Sequence, residues 1–379
     1  MKVLRITLFL LILFSLTTAI CYGQTAEDYL SKGMAYFNKG MYDEAITEYK
    51  RAIKINPNYA MAHNDLGAAY LSKGMLDEAI AEYKKALEIN PNLAMAHSNL
   101  GGAYGDKGMV NEAIAECNRA IEIDPNLAMA HNNLGAVYAD KLMYDEAITE
   151  YKRAIKINPS LAMAHNNLGL AYADKRMLDE AIAEYKKALE INPEYADAHT
   201  NLGGAYAGKG LYDQAITECK RALEINPNDA IAHNNLGAAY GDKGMLDKAI
   251  AEYKEALKID PNYAKAHNNL GGAYGEKGMY DKEIAQYKKA LKINPDYAEA
   301  HINLGAAYAG KGMLDEAIAE FKKALKINPN YTEAHNYLAV AYYDKRQYRL
   351  AIKHWDRAME LGYQVDPEFL KTLEPYRKR

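Results

Sequence analysis

The chain has 379 residues, of which 25% are charged and 49% hydrophobic, with a formal net charge of −4. That balance is ordinary for a folded protein with a buried core. It is too neutral to argue for nucleic acid as a partner, and too rich in apolar residues for a disordered acidic tail.

The first elements in chain order are a charged tip and an apolar run. "MKVLR" carries Lys2 and Arg5, and "ITLFLLILFSLTTAI" follows over 6–20. This has the build of a secretory signal over residues 1–23. The run is interrupted by Ser15, Thr17 and Thr18, and falls short of the roughly 18 apolar residues of a membrane span. Cleavage after Gly23 or Ala19 gives an exported chain, periplasmic or secreted. Cys21 leaves open a lipid anchor on its thiol, although Ile20 stands where such signals want a small residue. An uncleaved N-terminal anchor is the third alternative. Beyond the signal only Cys117 and Cys219 remain, 102 residues apart. In a stacked array that separation rules out the short Cα distance a disulfide needs, so both are expected free and buried.

From Ala26 the sequence repeats every 34 residues, with copies starting at 26, 60, 94, 128, 162, 196, 230, 264, 298 and 332. Each copy reads as two helices. The first follows Asn-Pro-Asn, a turn signal expected to supply the N-cap, as at Asn90-Pro91-Asn92, and stops at a glycine such as Gly74. The second is expected to be capped by an aspartate such as Asp77, Asp145 or Asp179. On a helix wheel His131, Leu134, Gly135 and Tyr138 form one stripe, and so do Ala147, Ile148, Tyr151, Ala154 and Ile155. These are the predicted core faces. Glu150, Lys152, Arg153 and Lys156 are expected to face outward. Asn133 falls about 200° round from His131, beside Met129, Ala136 and Asp140.

The tenth copy loses the pattern: Ala339 replaces the glycine and Trp355 takes the tyrosine place. "VDPEFLKTLEPYRKR" then predicts a capping helix and basic tail over 366–379, with Asp366 as N-cap and Pro367 in the first helical position. Such a cap gives the end of a stack a solvated face.

Gly135, Tyr138, Ala147, Tyr151, Ala154 and Pro159, at this spacing in a 34-residue unit, resemble the tetratricopeptide repeat pattern. The resemblance covers 26–365 in ten copies, with His or Tyr29 where the family pattern has Trp. It implies an all-α fold, a tandem helix-turn-helix solenoid coiled into a right-handed superhelix, whose first helices line a concave groove. It also implies a protein-interaction scaffold that holds extended peptides or partner helices.

Nine of the ten histidines recur at one place in the repeat, as in "AHNNLG" at 130–135, 164–169, 232–237 and 266–271. Successive first helices lie about 10 Å apart in a stack, so these rings cannot converge on one ion at about 2 Å. They are expected to be core histidines with hydrogen-bonded ring nitrogens. "GGAYAGKG" (203–210) and "GAAYAGKG" (305–312) imitate a phosphate loop but lack its Ser or Thr and a preceding strand. No catalytic constellation, metal site or cofactor is expected, and the chain reads as no enzyme.

The asparagines carry the functional reading. Asn99, Asn133, Asn167, Asn201, Asn235, Asn269 and Asn303 recur on the face turned from the core, among small residues such as Gly102, Ala136 and Gly204. Each amide can offer one donor and one acceptor to an extended main chain. The row resembles the asparagine ladder in the repeat domain of O-linked N-acetylglucosamine transferase, which holds peptide main chain. Met95, Met129 and Met163 (with Met61) stand beside it early in the chain, a flexible surface for apolar partners. Asp197, Ile231, Lys265, Glu299 and Glu333 replace them later. Lys265 is the lone basic residue of that row, so the family's two-lysine carboxylate clamp is not matched. The expected partner is a protein or peptide, with no nucleic acid or small-molecule substrate, and with a membrane met only through an N-terminal anchor. The alternatives are a structural or assembly spacer, and a non-catalytic accessory subunit of an envelope enzyme or secretion complex. Finally, Glu283 stands where nine copies have alanine, which predicts a looser junction there.

Overall fold

The computed structural model describes residues 24–377; the signal-like segment and Cys21 lie outside the described residues. The chain divides into two compact units at Asn192 and Pro193. The first holds five helix pairs, from Ala26–Phe37 to Leu178–Ile191; the second holds five more, from Ala196–Gly208, and ends in a single helix, Pro367–Arg377. No strand occurs among the described residues.

The fourth repeat shows why these residues make a pair. Its helices, Ala128–Asp140 and Tyr144–Ile157, are joined by a three-residue turn. Ala130, Leu134, Ala147 and Ala154 are fully or almost fully buried where the two meet. Tyr151 is 3% exposed because its ring lies flat against Gly135, where a Cβ would come within 2.7 Å of the ring. Burying one such aromatic side chain stabilises the pair by about 2–3 kcal/mol. Cys117 and Cys219 occupy the same place in their repeats; both are free and wholly buried, as expected.

The turns use a left-handed residue. Gly74 has φ +74°, and its N–H donates to Leu71 O, the αL ending that glycine adopts without strain. In three repeats that residue is not glycine: Leu142, Arg176 and Arg346 hold φ of 59–61°.

Helix starts differ from the sequence reading. The second helix of the second repeat is Leu76–Ile89, and its N-cap is Met75, with no side-chain cap. Asp77 lies inside the first turn, where it favours the positive helix end, and accepts from Lys107 Nζ of the next repeat at 2.5 Å. Likewise Asn90 does not cap: its Oδ1 accepts the Asn92 N–H at 3.1 Å and closes an Asx turn, while Leu93 fills the cap position. Between Ala26 and Glu360, side-chain caps occur at Thr25 and Asp229.

Within each unit the first helices pack on one another as well as on their partners, whereas the backbones of second helices in neighbouring repeats stay farther apart. The first helices therefore form a continuous layer in each unit. The last helix packs on the end of the second unit. Leu373 is buried in the final core with Trp355, and Arg377 makes a two-pronged ion pair with Asp356 at 2.6 and 3.0 Å.

Candidate functional site

From the second repeat onward, the recurring histidine is held by both helices of its pair. His131 Nδ1 lies 2.6 Å from Glu150 Oε2, and its Nε2 3.4 Å from Pro125 O at the repeat entrance. Glu150 in turn accepts from Arg153 Nη1 at 2.6 Å. The same His–Glu bond joins His63 to Glu82, His97 to Glu116, His165 to Glu184, His199 to Glu218, His233 to Glu252 and His301 to Glu320. The outward position expected for Glu150 is wrong: it is buried, as is His131. Each ring nitrogen faces an acceptor. At His199 burial works against the charge, yet the Glu218 and Pro193 contacts outweigh it and raise the pKa. Each ring is spent on its own repeat. Among the described residues no group of three or more His, Cys, Asp or Glu side chains is placed to hold a metal ion. The phosphate-loop imitation at 203–210 is the end of a helix, Ala196–Gly208, and its turn.

The asparagine row lies on the first-helix layer, half-buried, and its amides are already at work. Asn99, Asn167, Asn269 and Asn303 each donate Nδ2 to the side-chain oxygen of an asparagine in the preceding repeat: Asn64, Asn132, Asn234 and Asn268, at 3.0–3.2 Å. Asn133 and Asn235 donate instead to backbone carbonyls, Ser98 O at 3.0 Å and Thr200 O at 3.4 Å. At those two junctions a glycine lets the amide in: a Cβ on Gly102 or Gly204 would stand 3.2 or 3.1 Å from the incoming Nδ2. These small residues therefore do not leave an open floor; they seat the next asparagine. Asn201 is also hydrogen-bonded.

Around the row the first unit presents Met95 and Met163, both exposed, with Met61 and Met129 half-buried. Leu170 is exposed in the same layer. Asp65, Asp106 and Asp174 lie along this layer, and burial raises all three carboxyls above their ordinary range. The second unit is polar at the methionine position, with Asp197, Lys265, Glu299 and Glu333 exposed beside Ile231. It holds a hollow of about 270 Å³ between Asp242, Asn269, Glu276, Glu299 and Asn303. Glu283 has room that the sequence reading did not give it. Its carboxylate leans over Gly275, where a Cβ would come within 2.6 Å, and burial raises its pKa against the Tyr287 hydrogen bond.

Comparison with known proteins accords with this architecture. A family model described as a TPR repeat matches residues 33–74, 67–108, 103–141, 143–175, 177–210, 205–244, 239–278 and 273–312. Two models described as tetratricopeptide repeats match 298–331 and 320–353. A search of curated proteins finds no match. Among solved structures, the APC/C hetero-tetramer Cut9–Hcn1 is similar with a TM-score of 0.62 at 18% identity, over 83% of this chain and 76% of that one. YrrB, described as a TPR protein with an unusual peptide-binding site, is similar at 29% identity and a TM-score of 0.39, over 48% of this chain and 95% of that one. With helix pairs repeating every 34 residues and family models matching along almost the whole described length, the chain belongs to the tetratricopeptide repeat family.

Proposed function

We propose that the chain is an exported scaffold, in a bacterial envelope, whose first-helix layer binds an extended segment of a partner protein. The observation that carries this reading is the direction of the asparagine amides. Their Nδ2 groups are used on the preceding repeat, which fixes each side chain and leaves Oδ1 with a lone pair to accept a main-chain N–H; at Asn133 and Asn167 that oxygen also accepts from Asn132 and Asn166 at 3.4 Å. A preorganised row of acceptors, one per repeat, suits an extended chain and needs little ordering on binding. Met95, Met163 and Leu170 give the first unit an apolar contact surface, with Asp106, Asp140 and Asp174 beside it, so the segment is apolar with basic side chains. Binding is reversible and involves no chemistry by this chain.

The test replaces Asn99, Asn133 and Asn167 by Ala together and recovers partners by affinity purification and mass spectrometry from the native host. Circular dichroism establishes that the variant stays folded. Loss of a partner bound by the unaltered chain is the expected result. A folded variant that keeps all its partners defeats the groove reading and leaves the spacer or accessory-subunit roles. Membrane fractionation of a Cys21→Ser variant tests anchoring: release to the soluble fraction supports a lipid on that thiol, and an unchanged distribution excludes it.

A further inference from the structure

Away from the asparagine row, the junction of the seventh and eighth repeats holds an open cleft of about 830 Å³. Its mouth carries Lys254 and Lys258 from one repeat and Lys289 and Lys292 from the next; its floor is apolar, made by Leu257, Leu270, Tyr274 and Ile293. No carboxylate lines it. Of the nearby acids, Glu255 neutralises Lys258 at 2.6 Å, which leaves Lys254, Lys289 and Lys292, and Asp260 accepts the Asn262 N–H at 2.9 Å.

One residue sets this junction apart. Where seven repeats pair their histidine with a glutamate, the eighth has Gln286, whose Oε1 lies 2.8 Å from His267 Nδ1. In other copies, such as the fifth and ninth, that glutamate also neutralises the base three residues on, as in Glu184 with Lys187 at 2.9 Å and Glu320 with Lys323 at 2.8 Å. Lys289 stands in that place and has no such partner. The equivalent cleft at the next junction, about 510 Å³, also carries four lysines, but Asp296 and Glu320 line it too. The junction thus combines three ammonium groups and the Glu255-paired Lys258, a polar rim of His267, Gln286 and Asn262, and an apolar floor.

We propose that this cleft binds a small organic phosphate: an anion whose phosphate groups sit among Lys254, Lys289 and Lys292 while a flat apolar body covers Leu270 and Tyr274. Its volume is that of a small-molecule site. Lys254, Lys289 and Lys292 share a lining that holds no carboxylate; like charges gathered in this way repel one another, and a bound polyanion relieves that repulsion.

Isothermal titration of the full chain with ADP tests the assignment, with inorganic pyrophosphate and adenosine as separate arms. ADP is expected to bind more tightly than pyrophosphate, adenosine not at all, and added salt to weaken binding. Gln286→Glu installs the residue of the other repeats, so the fold is kept; it returns a carboxylate to His267 and Lys289. The expected loss is about tenfold or more. Lys289→Ala serves as the second variant, with a loss in the same direction. Absence of ADP binding, equal binding by Gln286→Glu, or pyrophosphate bound as tightly as ADP each overturns the proposal.

Discussion

His131 and Glu150 meet at 2.6 Å from opposite helices of one repeat, and both are buried. This bond ties the two helices together in seven of the ten repeats and, with the proline carbonyl, leaves the histidine no spare nitrogen for other work. Removing one partner strands the other in a poorly solvated place, which costs about 1–3 kcal/mol. His131→Ala is expected to lower stability by that amount. Hydrogen exchange should show the loss concentrated over 128–161, since each repeat touches only its neighbours; unchanged protection there would sink the idea. The first repeat offers the reverse experiment. Glu48 lacks a histidine, and its Oε2 is buried without a partner. Tyr29→His supplies one and is expected to raise the thermal midpoint.

Glu283 and Gly275 form a second coupled pair. Glycine to alanine inside a helix normally stabilises by about 1 kcal/mol. At 275 the gain is expected to be smaller, because the new methyl displaces the Glu283 carboxylate. In a Glu283→Ala background the full gain returns. A double-mutant cycle by urea denaturation measures the difference; strict additivity of the two changes would refute the coupling.

The same carboxylate gives a pH signature. Burial raises its pKa in the folded chain above the ordinary 4.5, so the folded state holds the proton more strongly than the unfolded one. Its penalty is therefore absent in acid and appears as pH rises through the folded pKa. Glu283→Gln is expected to stabilise at neutral pH and to make little difference at low pH, as read from melts at both.

At the tenth repeat histidine faces histidine: His335 Nδ1 lies 3.0 Å from His354 Nδ1. Burial, then the proximity of His335, Lys353 and Lys322, pushes His354 from 6.5 to about 4. The unfolded chain binds this proton first, so stability is lost as pH falls from 6.5 to about 4. His354→Glu installs the acid of the other repeats and is expected to abolish this sensitivity. Thermal melts followed at Trp355 at pH 7 and pH 5 compare the two chains; equal acid shifts would argue against it.

Leu142, Arg176 and Arg346 stand in the left-handed turn position. Such a conformation costs a side-chain-bearing residue roughly 1 kcal/mol, less the entropy that glycine loses on folding. Leu142→Gly and Arg176→Gly are each expected to raise the urea midpoint modestly, and a lowered midpoint would show that the turn is not strained.

Much of this was legible in the sequence. The period, the helix pairs, the buried histidines and the buried cysteines follow from spacing alone, because each repeat solves one packing problem in the same letters. The His–Glu bond was not. A helix wheel treats each helix singly and puts Glu150 among charged neighbours; its partner lies 19 residues away on the other helix. The signal was nonetheless present, since glutamate recurs wherever that histidine does, apart from the eighth and tenth copies. The asparagine donors were hidden for a related reason. A wheel says which way a side chain leaves its own helix, and nothing about what the next repeat brings to meet it. The helix starts were misread because hydrophobic residues hold the cap positions, with Asp77 and its equivalents one turn inside.

Cys117 and Cys219 are the smallest residues at a place otherwise held by large rings, one in each unit, and burial pushes both thiols up to about 12. A thiol kept protonated and out of reach reacts when its helix lifts away. The chain thus carries two internal clocks. Their rates of alkylation, separated by peptide mass, would time the opening of each half without any engineered label.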